Sequence, residues 1–289
     1  LALWYRGRAP LARTGGASAR RNRGQLMTTK LVQPLHAASE PVSMPGALVP
    51  SLDQCALLLD IDGTLLDMAP TPREVWVPPE LEQTLRKLLV RTSGALALVS
   101  GRSINDVDLI FAPMRLPAVG GHGAEMRLSG DGEAVATHAP PLDPDLKSRL
   151  AAIARISPGI LLEDKGYSLA LHYRLAPHTE KAIYESVAAI RAENPDAPLE
   201  VLPGKSVCEI KHAGFTKATG VLELMKHEPF KGRRPVFIGD DVTDETVFAI
   251  IPELGGVSFS VGRDSDLTSG RFDQPSDVRD WLARLLTTA

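Results

Sequence analysis

Cysteine is scarce in this chain, as are aromatic residues, long apolar runs and, outside one short stretch, unopposed positive charge. The two cysteines, Cys55 and Cys208, have no metal-ligand spacing, and two buried free thiols in a reducing compartment are expected. No apolar run approaches the ~20 residues needed to cross a bilayer, which predicts a soluble protein with no membrane partner. Residues 1–26 hold six arginines (Arg6, Arg8, Arg13, Arg20, Arg21, Arg23) and no acid. The whole chain carries −3, so subtracting their +6 leaves −9 on the body from Met27 onward. An acidic body without a basic, aromatic-interleaved patch argues against a nucleic-acid partner. The arginine-rich start lacks the apolar segment of a secretory signal and resembles a transit peptide; the alternative is upstream translation ahead of a start at Met27. Residues 1–50, with Pro34, Pro41, Pro45 and Pro50 and no hydrophobic period, are predicted to form a disordered or loosely docked extension.

What is present past that point has the period of a globular α/β chain, long enough at 289 residues for one large domain or two ordinary ones. Three short apolar runs end abruptly in polar residues: Cys55–Leu59 before Asp60, Ala95–Val99 before Ser100-Gly101, and Pro235–Ile238 before Gly239-Asp240-Asp241. Such runs suit parallel strands buried on both faces. Amphipathic helices follow, with apolar faces at Leu81, Leu85, Leu88 and Leu89, at Ala218, Val221, Leu222 and Met225, and at Val278, Trp281, Leu282 and Leu285. The alternation predicts a doubly wound, Rossmann-like parallel-sheet core, with its ligand site beyond the carboxyl ends of the strands. Between about Arg127 and Val207 the pattern changes to hairpin turns at Gly130-Asp131-Gly132, Lys165-Gly166 and Pro203-Gly204, with helices marked by Leu146, Leu150, Ile153 and by Ile183, Val187, Ile190. The prediction is a core of residues 51–126 and 208–289, interrupted by an α+β insert of residues 127–207.

Chemistry concentrates at the predicted strand ends. In Asp60-Ile61-Asp62-Gly63-Thr64 the two carboxylates, two residues apart on extended chain, can project into one crevice, and Gly63 permits a sharp turn. A calcium loop is excluded, because the glycine falls at position 4 and a strand precedes the motif. A second acidic cluster, Asp240-Asp241-Val242-Thr243-Asp244-Glu245, follows the third strand. A helix N-terminus accounts for one of Asp244 and Glu245, but not for Asp240 and Asp241 at the strand end. Two such clusters at one sheet rim repel unless a cation lies between them, and Mg²⁺ is the natural hard, oxygen-bound ion. Lys217 opens a helix behind Thr216, where a lysine is either a solvated charge or the partner of a phosphate-sized anion. Ser100 is a candidate phosphate hydroxyl.

These residues together resemble the four ordered motifs of the haloacid dehalogenase superfamily: Asp60-Ile61-Asp62-Gly63-Thr64-Leu65, Ser100-Gly101-Arg102, Lys217, and Gly239-Asp240-Asp241 with Asp244. The likeness extends to the trehalose-6-phosphate phosphatase family through Gly121-His122-Gly123-Ala124-Glu125, Leu162-Glu163-Asp164-Lys165-Gly166, Ala170-Leu171-His172-Tyr173-Arg174 and Glu209-Ile210-Lys211. It runs from about residue 52 to the C-terminus. One departure is Ala218, where the family often has glycine after the motif lysine.

The resemblance implies a Mg²⁺-dependent phosphatase that converts trehalose 6-phosphate to trehalose and phosphate through an aspartyl-phosphate. It implies Asp60 as nucleophile, Asp62 as general acid and base, and Lys217 as the phosphate clamp. It assigns Asp60, the backbone carbonyl of Asp62, Asp240, Asp241 and Asp244 to the metal. Asp60, Asp62, Thr64, Ser100, Gly101, Arg102, His122, Glu163, Lys165 and Glu209 are assigned to substrate, the last three reading sugar hydroxyls from a cap formed by the insert. It further implies a cytoplasmic monomer functionally paired with a trehalose-phosphate synthase. The alternatives are another capped sugar-phosphate phosphatase, such as one acting on sucrose phosphate, a phosphomutase, and a catalytically silent sugar-phosphate sensor.

Overall fold

A computed structural model describes residues 51–68, 75–133, 135–136, 139–204 and 206–287; the extension expected over residues 1–50 lies outside the described residues. The chain enters at β1 (Cys55–Leu59), crosses through α1 (Pro79–Arg91) to β2 (Leu96–Val99), and through α2 (Ile104–Phe111) to β3 (Ala118–Gly120). A hairpin then adds β4 (Glu125–Arg127) and β5 (Val135–Ala136) antiparallel at that edge. An excursion follows through α3 (Pro144–Ala152), β6 (Leu161–Asp164), β7 (Ser168–His172), α4 (Glu180–Glu193), β8 (Leu199–Gly204) and β9 (Val207–His212). The chain returns through α5 (Lys217–Leu224) to β10 (Arg234–Gly239), then α6 (Glu245–Ile250), β11 (Val257–Val261), β12 (Gly270–Phe272) and α7 (Pro275–Leu285).

The eight strands of the large sheet lie in the order β12-β11-β10-β1-β2-β3-β4-β5, parallel from β12 to β3. Strand β1 is central because its alternate residues meet two cores. Cys55, Leu57 and Leu59 pack with α1, α2 and α7, whereas Ala56 and Leu58 pack with α5 and α6 on the other face. Both faces buried is the physical reason for the unbroken apolar run. After β1 the chain winds one way to β2 and β3, and later the other way to β10, β11 and β12. The order reverses between β1 and β10, and ligand crevices open at such a switch point.

The small sheet is antiparallel, in the order β6-β7-β9-β8. One face buries Leu169, Leu171, Cys208 and Ile210 against α3 and α4, and the opposite face lies outside that apolar layer. Sheet membership moves both expected limits of the insert. The hairpin starting at Arg127 stays with the large sheet, because the fully buried Arg127 guanidinium clasps both oxygens of Asp108 at 2.6 Å and donates to the Leu116 carbonyl. Strand β9, expected in the core from residue 208, belongs to the small sheet, because Cys208 and Ile210 fill its apolar layer. Cys55 and Cys208 are buried free thiols, each pushed up to about 11 by burial. Among the described residues, no helix is long and apolar enough to cross a membrane.

The Arg127–Asp108 clasp anchors this edge of the sheet. Burial would raise the Asp108 carboxyl, but Arg127 and then Arg115 hold it below its ordinary range. Arg127→Ala leaves the Leu116 carbonyl without this donor and Asp108 with Arg115 alone, and should cost about 1–3 kcal/mol, the scale for a buried polar group that loses its partner. Urea denaturation measures this as a lower midpoint at unchanged slope; a loss below about 1 kcal/mol contradicts the anchoring role.

Candidate active site

Strand register builds the site. Leu59 of β1 lies beside Ile238 of β10, and the Asp60 amide donates to the Ile238 carbonyl at 3.0 Å, so the acids that follow both strands emerge side by side. The turn after Asp60 is tight: the amides of Leu65 and Leu66 both donate to the Ile61 carbonyl at 2.9 Å. Gly63 holds φ at +78°, and a Cβ there would fall 2.1 Å from Asp240 Oδ2. Only glycine leaves room for the two acid-bearing turns to approach this closely. Thr64 Oγ1 sits 3.2 Å from both Asp60 Oδ2 and Asp240 Oδ1, and its single proton serves one of them at a time.

Lys217 closes the other side. It is the first residue of α5, whose N-cap Thr216 accepts from the Thr219 amide while Thr219 Oγ1 accepts from the Thr216 amide. Ala218 takes its place in that first helical turn without departing from helical geometry. The Lys217 ammonium donates to Asp60 Oδ1 at 2.7 Å and to Asp244 Oδ1 at 2.8 Å, with all three residues buried. The remaining oxygen of Asp244 accepts the amides of Asp240 and Asp241 at 3.0 Å each. Asp244 therefore spends both oxygens on shaping the site. Gly239 permits this, since a Cβ there would meet the Asp244 carboxyl at 2.5 Å.

Asp60, Asp240 and Asp244 each offer an oxygen within 4.8 Å of the others, against one nearby ammonium. Burial and then the Asp244 charge push the Asp60 carboxyl well above its ordinary range, with Lys217 opposing. Burial, with Asp244 next among the raising charges, pushes Asp240 up to about 6. Burial would lower the lysine, but Asp244 and Asp60 outweigh it and hold Lys217 above its usual value, so it stays charged. Asp60 and Asp240 thus face each other across Thr64 with more negative charge than Lys217 neutralises, in a set of oxygen donors that suits a hard divalent ion. Asp241 lies outside this cluster. It is exposed, and its carboxylate accepts from the Val242 amide at 2.6 Å to cap the following turn.

Beside the cluster, both oxygens of Asp62 are held at 2.6 Å by the Arg102 guanidinium in a two-pronged pair. The Asp60 and Asp62 side chains accordingly have different partners, although the extended-chain argument aimed them into one crevice. Ser100 is buried at the end of β2, its Oγ accepting from the Arg102 amide at 3.1 Å. His122 packs on Gly101, where a Cβ would fall 2.4 Å from the imidazole. It adopts φ of +54°, unusual for a residue with a side chain. Burial pushes its pKa down to about 4, so the ring is neutral, and Nδ1 has no partner among the described residues.

The free face of the small sheet supplies the remaining groups. Glu163, Ala170 and Glu209 sit in register across β6, β7 and β9, so the two glutamates share a face. Lys165 Nζ lies 3.4 Å from both Glu209 oxygens, and His122 Nε2 lies 3.9 Å from one of them. Glu209, Lys165 and His122 therefore form one group spanning both sheets, while the half-exposed Glu163 stands apart, paired with His172 at 2.9 Å. Two polar partners were given no role from sequence: His172, quoted only within a motif, and Ser168, which donates to Glu209 at 2.7 Å. Their alternation with Ala170 on one face of β7 was the available signal.

This constellation has counterparts among known proteins. Residues 58–276 match the family model described as trehalose-phosphatase. The trehalose-6-phosphate phosphatase of Escherichia coli is 40% identical over 235 residues, covering 81% of this chain and 87% of that protein. A probable trehalose-phosphate phosphatase of Sinorhizobium fredii is 43% identical over 219 residues, 75% of this chain and 81% of that one. Among solved structures, the C-terminal domain of the C. albicans trehalose-6-phosphate phosphatase superposes with a TM-score of 0.67 at 21% identity, covering 82% of this chain and 93% of that chain. The matched segment contains every residue of the cluster from Asp60 to Asp244, and the chain belongs to the trehalose-phosphatase family.

Proposed function

We propose that this protein hydrolyses trehalose 6-phosphate to trehalose and inorganic phosphate through an aspartyl-phosphate on Asp60. The observation that carries the reading is the buried Asp60 carboxylate, oriented by Lys217 at 2.7 Å and facing Asp240 across Thr64. The Asp60 carboxylate attacks phosphorus, and the bond from phosphorus to the sugar oxygen breaks. The Asp62 carboxyl supplies the proton that the departing sugar oxygen takes up. The resulting carboxylate then removes a proton from the water that attacks the aspartyl-phosphate, releasing phosphate and restoring Asp60. Arg102, donating to both Asp62 oxygens, fixes the direction of that side chain. Lys217 and Ser100 hold the phosphoryl oxygens, where charge stabilisation contributes most of the catalysis.

Asp60, the backbone carbonyl of Asp62 and Asp240 would hold a Mg²⁺ ion. The residues fit it: all donors are oxygen, Asp240 is pushed up to about 6 by burial and neighbouring charge, and Gly63 keeps the space beside it clear. Such an ion, when bound, supplies positive charge to the phosphate and to the facing carboxylates. Asp244 supports this site through Lys217 and the two backbone amides, and Asp241 through its turn. Glu209, Lys165, His122 and, further out, Glu163 read sugar hydroxyls from above.

Purified protein should release phosphate from trehalose 6-phosphate with Mg²⁺ and stop in excess chelator, and Asp60→Asn should be inert in the same assay. Undiminished turnover in chelator overturns the metal assignment, and faster turnover of simple hexose phosphates overturns the substrate. Glu163→Ala should lower kcat/KM for trehalose 6-phosphate roughly tenfold to a hundredfold, as for a lost hydrogen bond to a charged group, with little change for a small aryl phosphate. Equal losses on both substrates would place Glu163 in stability or in the chemistry itself.

The raised Asp240 carboxyl also links stability to pH. It binds its proton more tightly folded than unfolded, so its contribution is lost as pH rises from 3.8 to about 6. A divalent ion offsets that loss only where the carboxyl is ionised. Mg²⁺ should therefore raise Tm more at about pH 7.5 than at about pH 5, measured by scanning calorimetry; equal shifts would remove Asp240 from the metal site.

A further inference from the structure

The hairpin joining β6 to β7 carries a side chain that the mechanism does not use. Tyr167 leaves the small sheet and lands on the large one, its hydroxyl donating to Glu125 Oε1 at 3.0 Å. The other oxygen of Glu125 accepts the Ile104 amide at 2.6 Å, the first amide of α2 and the end of the turn begun by Ser100. Gly121 lies under the tyrosine: a Cβ there would fall 2.3 Å from the Tyr167 hydroxyl, and its φ is +54°. The Gly121 amide donates to the Arg102 carbonyl at 2.7 Å and the His122 amide to the Ser100 carbonyl at 3.1 Å. The strip beneath Tyr167 is thus the strip that shapes the phosphate-side turn. The ring also meets Phe215 edge-on at 5.9 Å, in the segment where the chain passes from β9 back to α5. Burial and then the Glu125 charge raise the phenol above its ordinary value, so it remains a donor.

We propose that Tyr167 is a positioning residue, the contact through which the seated cap orders the Ser100–Arg102 turn. Its neighbours supply the coupling. Lys165, two residues before it, and Ser168, one after it, both bind Glu209. A sugar held by Lys165 and Glu209 fixes the hairpin, the hairpin fixes Tyr167, and Tyr167 steadies Glu125 and with it the start of α2. A substrate too small to reach the cap leaves the hairpin unfixed and gains only from the Tyr167–Glu125 contact already present. The inference rests on the functional reading above, which assigns Lys165 and Glu209 to sugar and Ser100 to phosphate.

Tyr167→Phe keeps the ring against Gly121 and Phe215 and removes only the hydroxyl. For trehalose 6-phosphate, kcat/KM should fall about tenfold, chiefly in kcat, the scale of one hydrogen bond to a charged acceptor. For p-nitrophenyl phosphate the loss should be clearly smaller, within about threefold, because no sugar tightens the hairpin. Glu125→Gln should behave alike, and the double variant should be no worse than the poorer single one. In the substrate-free protein, hydrogen exchange at the Ile104 amide should be faster in Tyr167→Phe, a readout that needs no turnover. Equal losses on both substrates, additive losses in the double variant, or unchanged exchange at Ile104 each overturn the proposal. If the wild-type protein leaves trehalose 6-phosphate intact, the functional reading fails, and the exchange measurement alone then decides the role of Tyr167.

Discussion

Everything near the rim of the large sheet is arranged around one electrostatic difficulty: more carboxylates than cations, close together and shielded from water. At about 4 Å, two like charges near a protein surface repel by about 4 kcal/mol, and the penalty grows with burial. The protein meets this with one buried lysine between Asp60 and Asp244, two backbone amides on the second oxygen of Asp244, and a threonine hydroxyl between Asp60 and Asp240. These contacts leave Asp60 and Asp240 facing each other, with both carboxyls raised. A buried cluster in this condition favours positive charge brought near it.

The small sheet contributes by a different principle. Its apolar face is sealed by α3 and α4, so only the opposite face is available, and strand alternation decides which side chains stand on it. That face carries Glu163 with His172 and Glu209 with Ser168 and Lys165. Polar groups already held by partners retain fixed directions. The neutral His122 and its strained backbone sit where the two sheets meet, and strain of this kind persists where surrounding structure enforces it.

Local pattern made much of this legible. The apolar runs over residues 55–59, 95–99 and 235–238 became β1, β2 and β10, and the helical faces of Leu81, Val221 and Trp281 became buried faces. Other elements were hidden for physical reasons. In β11, Ser258 and Ser260 alternate with apolar residues, yet they are buried and hydrogen-bonded, so the strand lacks the unbroken run of its neighbours. Strand β12 is too short for a period to show. Arg127 reads as a surface charge in an insert until its partner Asp108, distant in sequence, is seen to enclose it.

By itself the sequence determined three buried strands of the large sheet and the helices that face them, the positions of Asp60, Lys217 and Asp240 at the ends of elements, and the sharp turn at Gly63. Periodicity and backbone preference are local, so neighbouring residues suffice to express them. Only the tertiary structure decided which acids share a cluster. Asp244 spends both oxygens on support, Asp241 turns away to cap a helical turn, and Asp62 answers to Arg102 rather than to Asp60. It also decided where the two sheets divide and how Tyr167 reaches Glu125. Apart from the local caps of Asp241 and Asp244, those outcomes depend on strand register and on contacts between residues tens to nearly two hundred positions apart, and neither is written in any single stretch of chain.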